Sequence, residues 1–297
     1  MKTTVTIIGA GKIGQAIAAI LKKKPDVEIA LWDTDLTKVQ NQQPLEKIIP
    51  TADIIFTCTP LAATRAVLVA IKNYLPKKAI IVSPCKGVEQ ETGLRIDEVI
   101  VDVVPGQCYA LLLGSMLADE MMSGQPGVAA LACSDETATR LIKELFSGTL
   151  LYLKPTADIV GAAYAGILKN IYAILFGVIH GLNYGDNAKG FIAAKIISEM
   201  QMLICLLGGH EDTCLSAPGA GDFLTTGYSP LSRNRQVGEA IITGKPYPQT
   251  SEGLLALPMI VKKMGAKMSK YPILTATNAI VLEHADPRTI IENLLDL

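Results

Sequence analysis

Thr4-Val5-Thr6-Ile7-Ile8-Gly9 is a short apolar strand that runs without a spacer into Gly9-Ala10-Gly11-Lys12-Ile13-Gly14. From Lys12 to Lys24 the apolar residues Ile13, Ile17 and Leu21 recur at helical spacing. A strand that enters a helix through a glycine turn constrains the rest of the chain, because the same alternation must then continue. It does so up to about residue 153. VEIALW (27–32), DIIFTC (53–58), AIIVS (79–83), YALLLG (109–114) and VAALAC (128–133) are buried-strand candidates, with helical segments such as 62–74 and 136–146 among them. Short apolar runs alternating with amphipathic helices predict a parallel, doubly wound sheet covered on both faces.

The glycines of the first turn each have a task that fits a dinucleotide site. Gly9 allows the tight turn, Gly11 a close approach of backbone to pyrophosphate, and Gly14 close packing of helix on strand. The helix start, including Lys12 and Ile13, turns its free N–H groups toward the phosphates. The second strand ends in Leu31-Trp32-Asp33, and an acidic residue there accepts from ribose hydroxyls and repels a 2′-phosphate. Asp33 therefore favours NAD over NADP, unless it only caps the Asp33-Thr34-Asp35 turn. Two strand ends carry further candidates: Cys58-Thr59-Pro60-Leu61, and Ser83-Pro84-Cys85-Lys86-Gly87, whose lysine can reach an anionic ligand or simply be solvated.

After about residue 155 the pattern becomes helical, with candidates at 157–182, 188–207, 235–243, 252–264, 272–282 and 287–296. The chain thus divides into a sheet domain over 1–155 and an all-helical domain over 156–297. Within the first of these helices, GAAYAGILKNIYAILFGVIHGL places Lys169 and Asn170 among apolar and small residues. An ammonium buried there needs a partner or a cleft; alternatively its stem lies on apolar surface and its head reaches water. Two loops are expected in this half, Asn183 to Lys189 and Pro218 to Asp222. The second leads through Thr226 to Ser229-Pro230-Leu231-Ser232-Arg233-Asn234-Arg235, a cluster able to clamp a phosphate ester, with arginine supplying a bidentate fork. The plainer reading is a helix start capped by Ser232, with its arginines in water.

Composition narrows the class. At 297 residues the chain exceeds a typical single domain, and its formal net charge of −1 offers nothing to nucleic acid or an anionic membrane. MKTTVTIIGAG does not read as a signal peptide, and Lys169 and Asn170 divide the longest apolar stretch into runs too short for a bilayer core of about 30 Å. The six cysteines show no CxxC spacing, which predicts free thiols in a cytoplasmic protein. No metal site is expected. Large apolar helical faces predict a homodimer.

Taken in order, GAGKIG, SPCKGVEQETG, ILKN, GLNYGDNAKG, GAGDF, SPLSRNR and SEG (Ser251 to Gly253) resemble the NAD(P)-dependent glycerol-3-phosphate dehydrogenases. The resemblance implies a Rossmann-type sheet followed by an all-α domain, and a phosphorylated small-molecule substrate, dihydroxyacetone phosphate. It further implies NAD, with NADP possible, as cofactor and a place in glycerophospholipid synthesis. Lys169 matches the family's catalytic lysine. Lys86, Gly114, Asp222, Thr226, Ser232, Arg233 and Asn234 match substrate positions. Gly9, Gly11, Lys12, Ile13, Gly14, Asp33, Lys86, Ala118, Arg233 and Glu252 match cofactor positions.

The chain departs from the family pattern in three places. Gly114-Ser115-Met116-Leu117-Ala118 stands where the family reads G-P-[ST]-F-A, so the thioether of Met116 replaces a hydroxyl. Ala163 stands where a glutamate commonly precedes the lysine, and the segment after Asp33 is short. Met116 predicts weaker binding of dihydroxyacetone phosphate, or merely fills space, or suits another small hydroxy acid or ketone. The intact SPLSRNR opposes that last reading. A cofactor-binding chain that no longer catalyses is a further alternative, but such a chain has no need of Lys169 and Arg233, and both are retained.

Overall fold

The opening apolar run forms strand β1 (Thr3–Ile8). It pairs in one sheet with β2 (Val27–Trp32) and β3 (Ile54–Thr57), followed by β4 (Ile80–Ser83), β5 (Tyr109–Ser115), β6 (Gly127–Ala132) and β7 (Leu151–Thr156). These are the features of a computed structural model that describes residues 2–247 and 251–297. Neighbouring strands run β2-β1-β3-β4-β5-β6-β7. Pairing is parallel from β2 through β5, and every residue of β3 and β4 is buried, as both faces of a parallel sheet require. Five helices, α1 (Lys12–Leu21), α2 (Leu45–Ile48), α3 (Leu61–Ile71), α4 (Ile96–Val103) and α5 (Ala118–Met122), alternate with these strands, and α6 (Glu136–Phe146) follows β6.

The sheet is not wholly parallel, which corrects one expectation. β6 runs antiparallel to β5, with Leu113 opposite Ala130. The connection over 116–126 holds only the short α5, and a parallel crossover needs about a dozen residues or more with a longer helix. The chain therefore turns back, and β6-α6-β7 forms a parallel unit of its own. β7 escapes a reading for apolar runs because Lys154 and Pro155 interrupt it and Tyr152 is exposed. At a sheet edge proline costs no ladder bond.

The chain clusters into two compact units: residues up to Glu89 with Leu94–Ile159, and Gln90–Gly93 with Val160 onward. In the first, Val5, Ile17, Leu112, Leu131 and Ile142 belong to one buried cluster, in which Phe56 meets Phe146 edge-on at 6.1 Å.

The second unit is helical: α7 (Ile159–Gly181), α8 (Asp186–Leu206), α9 (Glu211–Cys214), α10 (Asp222–Tyr228), α11 (Arg233–Thr243), α12 (Glu252–Met264), α13 (Pro272–Val281) and α14 (Pro287–Leu295). Residues 161–179 of α7 are all buried. By length and composition α7 could cross a membrane, but 89% of its most apolar window is buried inside the structure, as befits a helix apolar on all sides. Both expected loops are partly helical. α8 already begins at Asp186, and Asp222 opens α10 after a kinked turn over Ala217–Gly221, in which Gly219 leaves the helical conformation at φ −92° and ψ −109°. That turn survives its proline and glycines because Gly219 presses against Cys214, where a Cβ would fall 2.1 Å from the carbonyl oxygen.

Candidate active site

Lys169 projects from the middle of α7, and its side chain is largely buried. Its Nζ donates to Thr226 Oγ1 at 2.8 Å and lies 3.1 Å from Asp222 Oδ2, while Thr226 Oγ1 donates to Asp222 Oδ1 at 3.2 Å. The three residues are 5%, 6% and 3% exposed, respectively. Asp222 and Thr226 stand four residues apart on α10, which places both side chains on one face. Desolvating two charges is costly, and a buried ion pair rarely repays that in stability. The pair is therefore weak as a source of stability, and removing either partner alone would leave an uncompensated buried charge.

The neighbouring Asn170 ties two more helices to α7. Its Nδ2 donates to Glu252 Oε2 at 2.7 Å, and its Oδ1 accepts from Asn234 Nδ2 at 2.8 Å. Asn234 Oδ1 in turn accepts from the backbone N–H of Gly253 at 3.0 Å. The first turns of α11 and α12 are thus bonded to the helix that carries Lys169. Ser232 caps α11 through Arg235 N–H at 3.3 Å, as its plainer reading had it, and Arg235 is tied to Glu239 at 2.7 Å. Arg233, at the first position of α11, is exposed and forms no hydrogen bond or ion pair among the described residues.

In the first unit the glycine turn has the shape required of a phosphate cradle. Gly9 sits at φ +103°, and a Cβ there would lie 2.6 Å from the Cys58 carbonyl oxygen. A Cβ on Gly14 would fall 1.9 Å from the Gly9 oxygen, whereas one on Gly11 would meet nothing within 4 Å. α1 has no side-chain cap, so the N–H groups of Lys12, Ile13 and Gly14 remain as donors at its positive end. These features fit a dinucleotide pyrophosphate. The ammonium of Lys12 itself turns to Asp119 at 2.7 Å.

Asp33 lies at the end of β2 and is buried. Its Oδ2 accepts from Ala10 N–H at 2.7 Å and its Oδ1 from Asp35 N–H at 2.9 Å, so it both braces the glycine turn and caps its own. Lys86 donates to the Gly114 carbonyl at 3.2 Å, and Met116 and Ala118, like Ile13, pack against the buried cluster of this unit. Among the described residues, no group of His, Cys, Asp and Glu could hold a metal ion. None of the six cysteines forms a disulfide.

Each unit gathers candidates of its own. Lys169, Asp222 and Thr226 form one cluster beside Asn234 and Glu252; the glycine turn and Asp33 form another; Lys86 and Gly114 form a third. Asn170, Lys38 and Gln42 were not singled out as site residues. Only the ILKN motif pointed toward the first, and nothing in local sequence pointed to the other two.

A doubly wound sheet with a glycine-turned helix start, in one chain with a helical unit built around a buried lysine–aspartate pair, defines a nicotinamide-dinucleotide-dependent dehydrogenase. The sequence matches the family model for the NAD-dependent glycerol-3-phosphate dehydrogenase N-terminus over residues 36–139 and that for its C-terminus over 158–292. It is 30% identical, over 316 aligned positions, to a glycerol-3-phosphate dehydrogenase [NAD(P)+] of Thermobifida fusca, covering 96% of this chain and 94% of that protein. A protein of the same description from Chlorobium limicola is 33% identical over 267 positions, covering 81% and 80%. Among solved structures, glycerol-3-phosphate dehydrogenase of Coxiella burnetii superposes with a TM-score of 0.87 at 24% identity, covering 100% of this chain and 99% of that one. The chain belongs to the NAD-dependent glycerol-3-phosphate dehydrogenase family, and is an NAD(P)-dependent oxidoreductase acting on a CH–OH group.

Proposed function

We propose that the chain interconverts dihydroxyacetone phosphate and sn-glycerol 3-phosphate, with Lys169 as the proton donor to the substrate oxygen. The nicotinamide, when bound, supplies or takes the hydride. During reduction negative charge grows on the carbonyl oxygen, and a positioned ammonium both stabilises it and delivers the proton, a contribution of about 10² to 10⁴-fold. In oxidation the neutral amine accepts that proton. Asp222 and Thr226 fix where Nζ sits, and the short Lys169–Asp222 distance is the observation that carries this reading. Arg233 and the first turn of α11 are the phosphate receivers, since a guanidinium at a helix N-terminus combines charge with oriented N–H donors.

The same reading includes NADH as the preferred cofactor because of Asp33, a homodimeric assembly, a cytoplasmic location and a role in supplying glycerophospholipid synthesis. Following NADH oxidation with dihydroxyacetone phosphate tests it. Turnover that Lys169→Ala reduces at least about a hundredfold supports the assignment. Turnover only on unphosphorylated ketones overturns the choice of substrate.

A further inference from the structure

The stretch after β2 is drawn into a closed loop by one side chain. Gln42 Oε1 accepts from Asp33 N–H at 2.8 Å, and its Nε2 donates to the Asp33 carbonyl at 2.7 Å, so the amide pairs with the backbone as another strand would. Inside the loop, Asp35 Oδ1 accepts from Thr37 N–H at 3.0 Å, and the Lys38 N–H reaches the Asp35 carbonyl at 3.1 Å. These bonds place the Lys38 ammonium 3.6 Å from Asp33 Oδ1 and 3.8 Å from Asp35 Oδ2.

Asp33 is therefore not a bare carboxylate facing the adenosine ribose. Burial pushes its carboxyl upward, but the backbone N–H groups of Asp35 and Ala10, aided by Lys38, outweigh this and hold it below the ordinary carboxylate range. The residue remains anionic, yet the charge is shared. Two carboxylates oppose one ammonium, leaving the loop with a single net negative charge. The Lys38 side chain is 42% exposed, on a flexible stem whose ammonium can leave a weak surface pair for a stronger anion.

We infer that Lys38 is a cofactor-specificity residue: it receives the 2′-phosphate of NADP(H) and limits the discrimination that Asp33 imposes. This rests on the reading of the glycine turn and β2 as the dinucleotide site. Net charge in the loop then sets selectivity. Lys38→Gln makes it more negative, Asp33→Asn neutralises it, and Asp33→Asn with Asp35→Asn leaves it positive.

Calorimetric binding of 2′,5′-ADP and of 5′-AMP to the full chain isolates the 2′-phosphate from catalysis. The expected result is that Lys38→Gln weakens 2′,5′-ADP relative to 5′-AMP by about fivefold, the scale of one partly exposed ion pair. Asp33→Asn shifts the ratio the other way, and raising salt shrinks both differences because the charges are screened. Lys38→Glu, also at an exposed position, should exceed the effect of Lys38→Gln. An unchanged ratio in both Lys38 variants, with 5′-AMP still bound, overturns the role of Lys38 alone. Failure of the wild-type chain to bind 5′-AMP or NADH overturns the dinucleotide reading as well.

Discussion

Gly238 on α11 meets Gly177 on α7 backbone to backbone: a Cβ on Gly238 would lie 2.8 Å from the Gly177 carbonyl carbon and 2.0 Å from the Ile174 carbonyl oxygen. A Cβ on Gly177 would in turn fall 2.1 Å from the Arg235 oxygen. This contact sets how closely the helix start bearing Arg233 and Asn234 sits against the helix bearing Lys169. Neither backbone can give way without moving a helix. Gly238→Ala should therefore cost about 1 to 3 kcal/mol, the usual range for overpacking. It should also raise KM for the phosphorylated substrate more than it lowers kcat. Urea unfolding and steady-state kinetics check both, and an unchanged KM would mean that α11 does not hold the substrate.

The Lys169–Asp222 pair separates chemistry from packing. Asp222→Asn keeps a side chain of the same shape but removes the carboxylate facing a buried ammonium. Leaving such a charge without its counter-ion costs about 3 kcal/mol or more, so the melting temperature should fall. The kcat should fall with it, while NADH binding is unaffected. Retention of wild-type kcat in Asp222→Asn would show that the carboxylate does not position the proton donor.

Acid should weaken the helical unit through His180. Its Nε2 is buried without a hydrogen-bond partner among the described residues, and its ring packs edge-on against Phe176 at 5.3 Å and Tyr228 at 6.2 Å. Burial is the main cause that lowers its pKa below the ordinary 6.5. Arg235 on α11 and Lys189 on α8 act in the same direction, and Glu239 and Asp186 partly oppose them. The unfolded chain thus takes up this proton first. The neutral ring's contribution is fully present above pH 6.5 and is lost as pH falls from there through the lower folded value. His180→Phe should remove that part of the acid sensitivity. Melting temperatures of both proteins at pH 7.5 and 5.5 provide the check, and parallel curves would exclude His180 as the sensor.

Met116, where the chain departs from its family, packs against the buried cluster of the first unit together with Ile13 and Ala118. That placement favours the space-filling role over a lost substrate hydroxyl. Met116→Ser should lower stability by about 1 to 2 kcal/mol, less than a fully buried truncation, and leave KM for dihydroxyacetone phosphate unchanged. A fall in that KM by about threefold, one hydrogen bond's worth, would restore the substrate role.

Sequence alone determined whatever depends on short-range pattern. α12 was legible to the residue as 252–264 because Ser251 caps it and apolar spacing fills it, and β2 because six residues of strand character stand isolated. The glycine turn was legible because each glycine answers a local steric demand. Lys169 stood out because an ammonium in an apolar helix is anomalous without any fold in hand. What the tertiary structure decided are pairings across long separations, which local pattern does not encode. β6 turned antiparallel because of a short connection, and β7 took an edge that tolerates Pro155. Asp222 became the partner of Lys169, fifty-three positions away, only because α10 crosses α7 there. The character of Asp33 changed most. The same carboxylate reads as a ribose acceptor or a turn cap in sequence, and only the fold brings Ala10, Lys38 and Gln42 onto it, because a side chain's electrostatic role depends on which groups packing sets beside it.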